Sequence, residues 1–339
     1  MSKKKTSIGG QALIEGIMMK GPYKTMMAVR KKDGSIETVE VVEKHLKDKY
    51  KIFGWPLIRG MVNLIESMVL GYKAMMQSAE ISGFADIDEE MPEKTEANSK
   101  DAEEQNAEQN EEPKEEKKES LLTGAVMAIG GVLGVVLAVV LFMWLPSVIF
   151  KGVQYIAGTD LRYYKGLIEG IVKIAIFVGY IALTSLEKDI KRVFQYHGAE
   201  HKTIFCYESG EELTVENVRK HTRFHPRCGT SFMFLMLAVG ILISSVLVVV
   251  LPDFIISRNY IWVPIKILLL PLTCGIGYEL IKVCGRHDNL FTKIIAAPGL
   301  WVQRLTTKEP DDSMIEIAIA AVNEVIPLDG SDMTDGCCK

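Results

Sequence analysis

Apolar positions in this chain are gathered into long blocks, with charged stretches between them. The longest is 121–150, LLTGAVMAIGGVLGVVLAVVLFMWLPSVIF, which carries no charge. A bilayer core is crossed by roughly 20 apolar residues in helical form, so a transmembrane helix is predicted near 121–146. The block TSFMFLMLAVGILISSVLVVVLP at 230–252 predicts another. Two further spans are predicted at 167–186 and 262–281. Each carries one or two charges, and Pro271 should kink the last. In the 167–186 block, Glu169 and Lys173 lie one turn apart, as a self-paired couple near the interface would, or as part of a polar pathway. The fold class expected is mainly α: a polytopic helical membrane protein of about four spans.

Other periodicities mark smaller elements. MMAVRKKDGSIETVEVV at 26–42 alternates about Asp33-Gly34 and predicts a β-hairpin. Residues 53–81 predict an amphipathic helix with Leu57, Met61, Leu64, Ile65, Met68 and Met75 on one side. Trp55 and Arg59 could anchor it at a lipid surface, unless it packs on the spans. A short helix over 311–325 follows Pro310-Asp311 and has acids in its first turn, as the helix dipole favours. Residues 287–304 have an interfacial character, with Trp301 and Arg304 as anchors.

Charge divides the chain. The net charge is −4, yet residues 86–119 hold fifteen acids against five bases and have few apolar residues. That stretch is expected to be a disordered linker. The division that follows is an N-terminal cytoplasmic module (1–85), the linker, a membrane domain (120–286) and a C-terminal interfacial and cytoplasmic segment (287–339). Segment 187–229 holds eight lysines and arginines, and the loops on the other side hold few. The positive-inside rule then puts 187–229 and both termini in the cytoplasm of a cell-membrane protein. The six cysteines show no disulfide spacing, and no signal peptide follows the basic start. The lipid bilayer, and other membrane proteins, are the expected partners; nucleic acid is not. Gly130 and Gly134 form a GxxxG pair, a weak signal for helix dimerisation.

Chemistry concentrates in YHGAEHKTIF, 196–205. The helix of the second span should run on through it, placing His197 and His201 on the order of 16–22 Å past the span's end. Both fall on the buried stripe set by positions 190, 193, 194, 204 and 205. HxxEH sets two imidazoles one turn apart, with Glu200 beside them to take a proton from water. Downstream, HPRCG at 225–229 has the form of a zinc knuckle: His225 and Cys228 are two residues apart, Pro226 holds the first extended, and Gly229 frees the turn. The ligand set expected is His197, His201, His225 and Cys228, for zinc or another divalent transition metal. Glu200 is the catalytic candidate. Four ligands would close the site as a structural staple; three would leave a water position for Glu200 to serve. Glu208 and Glu279 are alternative ligands. Gly9-Gly10 lacks the Lys-Ser/Thr of a P-loop.

These residues carry a resemblance. GGQALIEGIMMKGP, GWPLIRGMVNLIESMVLGYKAM, YHGAEHKTIFCYESGEELTVENVRK, HPRCGTSF and LTTKEPDDSMIEIAIAA are similar to the YqhQ-like family of bacterial membrane proteins of unknown function. The resemblance implies a predicted metal-dependent enzyme and no particular substrate. Two functions remain open: a hydrolase facing the cytoplasm, or a membrane scaffold or assembly factor with a structural zinc.

Overall fold

The computed structural model describes residues 5–43, 51–55, 58–84, 129–286 and 289–334. The acidic linker, the start of the first span, Leu57, His287 and the Cys337-Cys338 pair lie outside the described residues.

The N-terminal segment forms a four-stranded antiparallel meander in the order β2 (Gly9–Leu13), β3 (Gly16–Lys20), β4 (Thr25–Arg30), β5 (Ile36–Glu40). The predicted hairpin is β4–β5, with Gly34 at φ +86° in its turn. The β2–β3 hairpin was not expected, because its Ile14-Glu15 turn contains no turn-forming dipeptide. Glu15 takes the positive φ itself, at 51°. A short strand β1 (Lys5–Thr6) pairs with β6 (Met333–Thr334), tying the two ends of the described chain together.

Strand β4 shows why its sequence is continuously apolar. Met26 and Ala28 face a core shared with the last helices, while Met27 and Val29 face Ala74 on the opposite side. Both faces of β4 are therefore buried. The first core gathers three pieces far apart in sequence: the sheet, α4 (Lys188–Ser209) with α5 (Val215–Lys220), and α11 (Asp312–Val325). In α11, Met314, Ile315, Ile317, Ala318, Ala321 and Val322 are fully buried, so this helix is the centre of a head region. It starts where predicted, with Asp311 accepting from the Met314 amide at 3.0 Å.

Helix α1 (Ile58–Ser82) covers the other face of the sheet, but with a different side from the one predicted. Apart from Val62, its buried positions are small: Gly60, Gly71, Ala74, Ser78, Ala79 and Ser82. Ile65, Met68 and Met76 are exposed. Close backbone approach decides the outcome: a Cβ on Gly60 would lie 3.0 Å from the Gly275 Cα. Arg59 is not free for lipid, since it pairs through two 2.7 Å hydrogen bonds with Glu279.

Among the described residues, three helices are long and apolar enough to cross a membrane. They are α2 (Ile129–Ala157), α3 (Lys165–Thr184, preceded by a 3₁₀ turn) and α6 (Gly229–Val250). A fourth crossing is available if α8 (Asn259–Leu268) and α9 (Leu270–Arg286) count as one span bent by 43°. The break falls just before Pro271, where the ring removes a helical hydrogen bond. A four-residue helix, α7 (Asp253–Ile256), precedes α8, and α10 (Leu290–Thr306) follows α9. Gly166 and Gly170 let α3 meet α6, whereas Gly130, Gly131 and Gly134 have no neighbour within 4 Å of an added Cβ.

Two expectations fail here. The helix of the second span does not run on: the chain tightens through Ser185 and Leu186, and Glu187 turns extended (ψ 136°) before α4 begins. Glu169 and Lys173 do not pair with each other. Glu169 is fully buried and bonds to Ser147 and Lys266 instead.

Candidate metal centre

Helix α4 supplies the first part of the site. It starts with Asp189 in its first turn and stops at Gly210, whose left-handed φ of 75° closes the C-terminus. At 3.6 residues per turn, His197 and His201 stack on one face. Their rings lie 4.4 Å apart, edge to face. The second part is Cys228, the N-cap residue of α6.

Three ligand atoms, one each from His197, His201 and Cys228, lie within 4.8 Å of one another. What sets them there is hydrogen bonding to the outer nitrogens. His197 Nδ1–H donates to the Thr306 carbonyl at 2.9 Å, and His201 Nδ1–H donates to the Arg223 carbonyl at 2.5 Å. Each ring thus has Nε2 turned inward, and His197 Nε2 lies 3.2 Å from Cys228 Sγ. Thr230 Oγ1 is 3.2 Å from the same sulfur. Burial pushes the Cys228 thiol up, but the two imidazoles outweigh it and hold the group well below the ordinary thiol range. Burial disfavours charge on His197, yet the sulfur and Glu200 raise it to about 9.

Glu200 is 5 % exposed. Burial raises its carboxyl above the usual range, with His201 and His197 opposing. Its Oε1 accepts from the Gly10 amide of β2 at 3.0 Å. Gly10 has to be glycine here, because an added Cβ would sit 2.7 Å from the Met18 carbonyl oxygen and 3.1 Å from Glu200 Cγ. The glycine-rich segment therefore serves as a close-packed wall of the site.

His225 stands beside the three-ligand group and not within it. Its ring centroid is 5.5 Å from that of His201. Nδ1 accepts from the Arg227 amide at 3.3 Å, and Nε2 faces Glu208 at 4.0 Å and Arg227 at 3.4 Å. Burial pushes this imidazole down to about 4, with Glu208 opposing. Both nitrogens are engaged away from the cluster, by Arg227 and Glu208. Gly229 is not needed to open a turn either: it is the first residue of α6, with open space where a Cβ would sit. The alternative ligands have other partners too. Glu208 binds Arg227 and the Thr6 amide, and Glu279 binds Arg59.

Sequence reasoning missed Gln303. This fully buried side chain of α10 accepts from the His225 amide at 2.8 Å. It donates to the His225 carbonyl at 2.7 Å and to Ser231 at 2.9 Å, clamping the loop that presents Cys228. A lone amide among apolar helix positions, GLWVQRL, was the signal available. Lys202 was missed as well. It is buried, bonds to the Arg219 carbonyl and pairs with Glu309, which also binds Arg223.

A second group, Cys206, Glu211 and His221, also brings ligand atoms within 4.8 Å. Burial raises the Cys206 thiol to about 11, and Glu211 adds to that rise, so it is the less ready of the two sulfurs to bind a cation.

A family model described as "Protein of unknown function (DUF1385)" matches residues 55–328. The "Uncharacterized protein YqhQ" of Bacillus subtilis (strain 168) is 33% identical over 334 residues, which cover 97% of this chain and 96% of that protein. No solved structure matches. The family is the one the sequence motifs resemble, and neither comparison attributes an activity to it.

Proposed function

Because the chain belongs to the family of proteins of unknown function DUF1385, its activity has to be argued from its own residues. We propose that it is a bilayer-embedded, metal-dependent hydrolase, with zinc held by His197, His201 and Cys228. The observation that supports this best is the pair of Nδ1–H bonds to the Thr306 and Arg223 carbonyls, which leaves both Nε2 atoms beside Cys228 Sγ. Carbonyl partners of this kind orient metal-ligating histidines and fix their tautomers. The nitrogen and sulfur donor set favours zinc, and three protein ligands leave one position open.

When bound, such an ion supplies Lewis-acid polarisation of water and of a carbonyl or phosphoryl oxygen. Glu200 is the general base. Its Oε1 is fixed by the Gly10 amide, and Oε2 is the oxygen that takes the proton. Burial supports that role, since it raises the carboxylate's proton affinity.

The apolar helices cross the bilayer, with the Lys- and Arg-rich segment 187–229 and both termini on the cytoplasmic side. The site then lies between the helix that follows α3 and the first residue of α6, at the cytoplasmic end of the bundle. A peptide bond or lipid headgroup near the membrane surface suits that position.

Metal analysis of the purified protein tests the reading. One zinc per chain is expected, lost in His197→Ala and in Cys228→Ser. Glu200→Gln should keep metal and fold while hydrolysis of a membrane substrate falls by at least about 100-fold. If neither the wild type nor Glu200→Gln hydrolyses a membrane substrate and Cys228→Ser unfolds the head, the metal is structural and the protein is a membrane scaffold.

A further inference from the structure

Apart from the candidate metal centre, and among the described residues, the helical bundle buries four charged side chains: Lys165, Glu169, Lys173 and Lys266, each at most 9 % exposed. Three are mutually accommodated. Lys266 Nζ donates to Glu169 Oε2 at 3.1 Å, to Ser147 Oγ at 3.2 Å and to the Met143 carbonyl at 3.1 Å. That carbonyl belongs to a π-helical turn of α2, Val140–Trp144, a local widening of the helix that is frequent at functional sites. Lys165 donates to the Ile256 carbonyl and lies over the rings of Phe150 and Trp262. Trp262 Nε1 points at Glu169 from 3.4 Å.

Lys173 has no such partner. Among the described residues it makes no hydrogen bond and no ion pair, and it is only 9 % exposed. Together with Lys266 it lines a half-open cavity of about 240 Å³. The remaining lining is mostly apolar, including Phe142, Phe177, Met233 and Met236. Three buried lysines thus stand against one buried carboxylate, and Lys173 is the one left without a contact to it, in a place where an uncompensated charge is costly. The cavity is below the roughly 300–1,000 Å³ of a site that encloses a drug-sized ligand. It has room for an anionic head and the first part of a chain whose remainder lies among lipids.

We infer that this cavity binds an anionic amphiphile, with a carboxylate or phosphate head seated on Lys173 and Lys266 and an alkyl chain against the Phe and Met wall. The inference does not depend on the metal reading, because it uses none of the same residues.

Full-length protein in mild detergent is labelled with a diazirine-bearing fatty acid, a diazirine-bearing phosphatidic acid and the matching fatty alcohol. Cross-links are mapped by mass spectrometry. Labelling by at least one of the two anionic probes is expected at cavity residues such as Phe177 and Met236, at least tenfold above the alcohol. Lys173→Met should abolish that excess, and unlabelled oleate should compete with it. Free inorganic phosphate at millimolar concentration should not; full competition by phosphate would overturn the amphiphile in favour of a soluble anion. Equal labelling by the alcohol, or undiminished labelling of Lys173→Met, would also overturn it. Should Lys173→Met fail to fold, Leu237→Trp fills the same cavity from α6 and must likewise remove the labelling.

Discussion

Gly9 and Gly10 are neighbours in one strand with opposite constraints. A Cβ at Gly9 meets nothing within 4 Å, whereas one at Gly10 runs into β3 and Glu200. Gly9→Ala should therefore change stability by less than about 0.5 kcal/mol. Gly10→Ala should cost about 1–3 kcal/mol through overpacking, and it should loosen the Glu200 carboxylate. Thermal unfolding of the two variants side by side checks this. Gln303→Ala leaves the amide and carbonyl of His225 buried without their partner, a loss of about 1–3 kcal/mol that denaturant titration would read. At this scale the sequence was informative about chemistry and silent about contact. His197, His201 and Cys228 were legible from spacing and residue type. The Gly10–Glu200 bond spans 190 positions and leaves no local trace. The orientation of His225 was illegible for a related reason: it depends on Glu208 and Arg227, which compete with the cluster for the ring's nitrogens.

At the scale of elements, hydrophobic blocks located two of the long apolar helices well, whereas α2 runs on to Ala157, past its predicted end at 146. Helices α3 and α6 begin and end within about two residues of their predicted bounds, and the last span breaks just before Pro271. Composition could not show which face of a helix packs. On α1 the predicted apolar stripe is split, with Ile65 and Met68 exposed and Met61, Leu64 and Met75 half-buried, while the glycine and alanine positions are buried because close approach to α9 and the sheet excludes bulk. The glycines of α3 and α2 make the same point with a testable contrast. A Cβ on Gly166 would stand 2.6 Å from Ser245 Cα, while Gly134 borders open space. Gly166→Val should lower stability in detergent by about 1–3 kcal/mol, and Gly134→Val should leave the fold of the chain unchanged. Intact thermal stability in Gly166→Val would contradict the packing of α3 on α6.

Across the whole molecule, the feature least visible in sequence is the head itself. The sheet, α4 with α5, and α11 come from three separated segments and share one apolar core. The candidate metal centre borders that core, since β2 carries Gly10 and α4 carries the histidines. Damage to α11 should therefore reach the site without touching it. Ile317 is fully buried in the core, so Ile317→Asp places an unpaired charge there at a cost above about 3 kcal/mol. Limited proteolysis should cut the variant's head, and its metal content should fall with that of His197→Ala. Metal retained in a proteolysed head would mean that the site and the core are separable.

X-ray absorption at the zinc edge of the metal-loaded protein addresses the central claim most directly. The account predicts one sulfur at about 2.3 Å and two imidazole nitrogens at about 2.0–2.1 Å, with one further light atom. The spectrum of His225→Ala should be the same. A shell without sulfur, or one that changes when His225 is removed, would contradict the assignment of His197, His201 and Cys228 as the ligands.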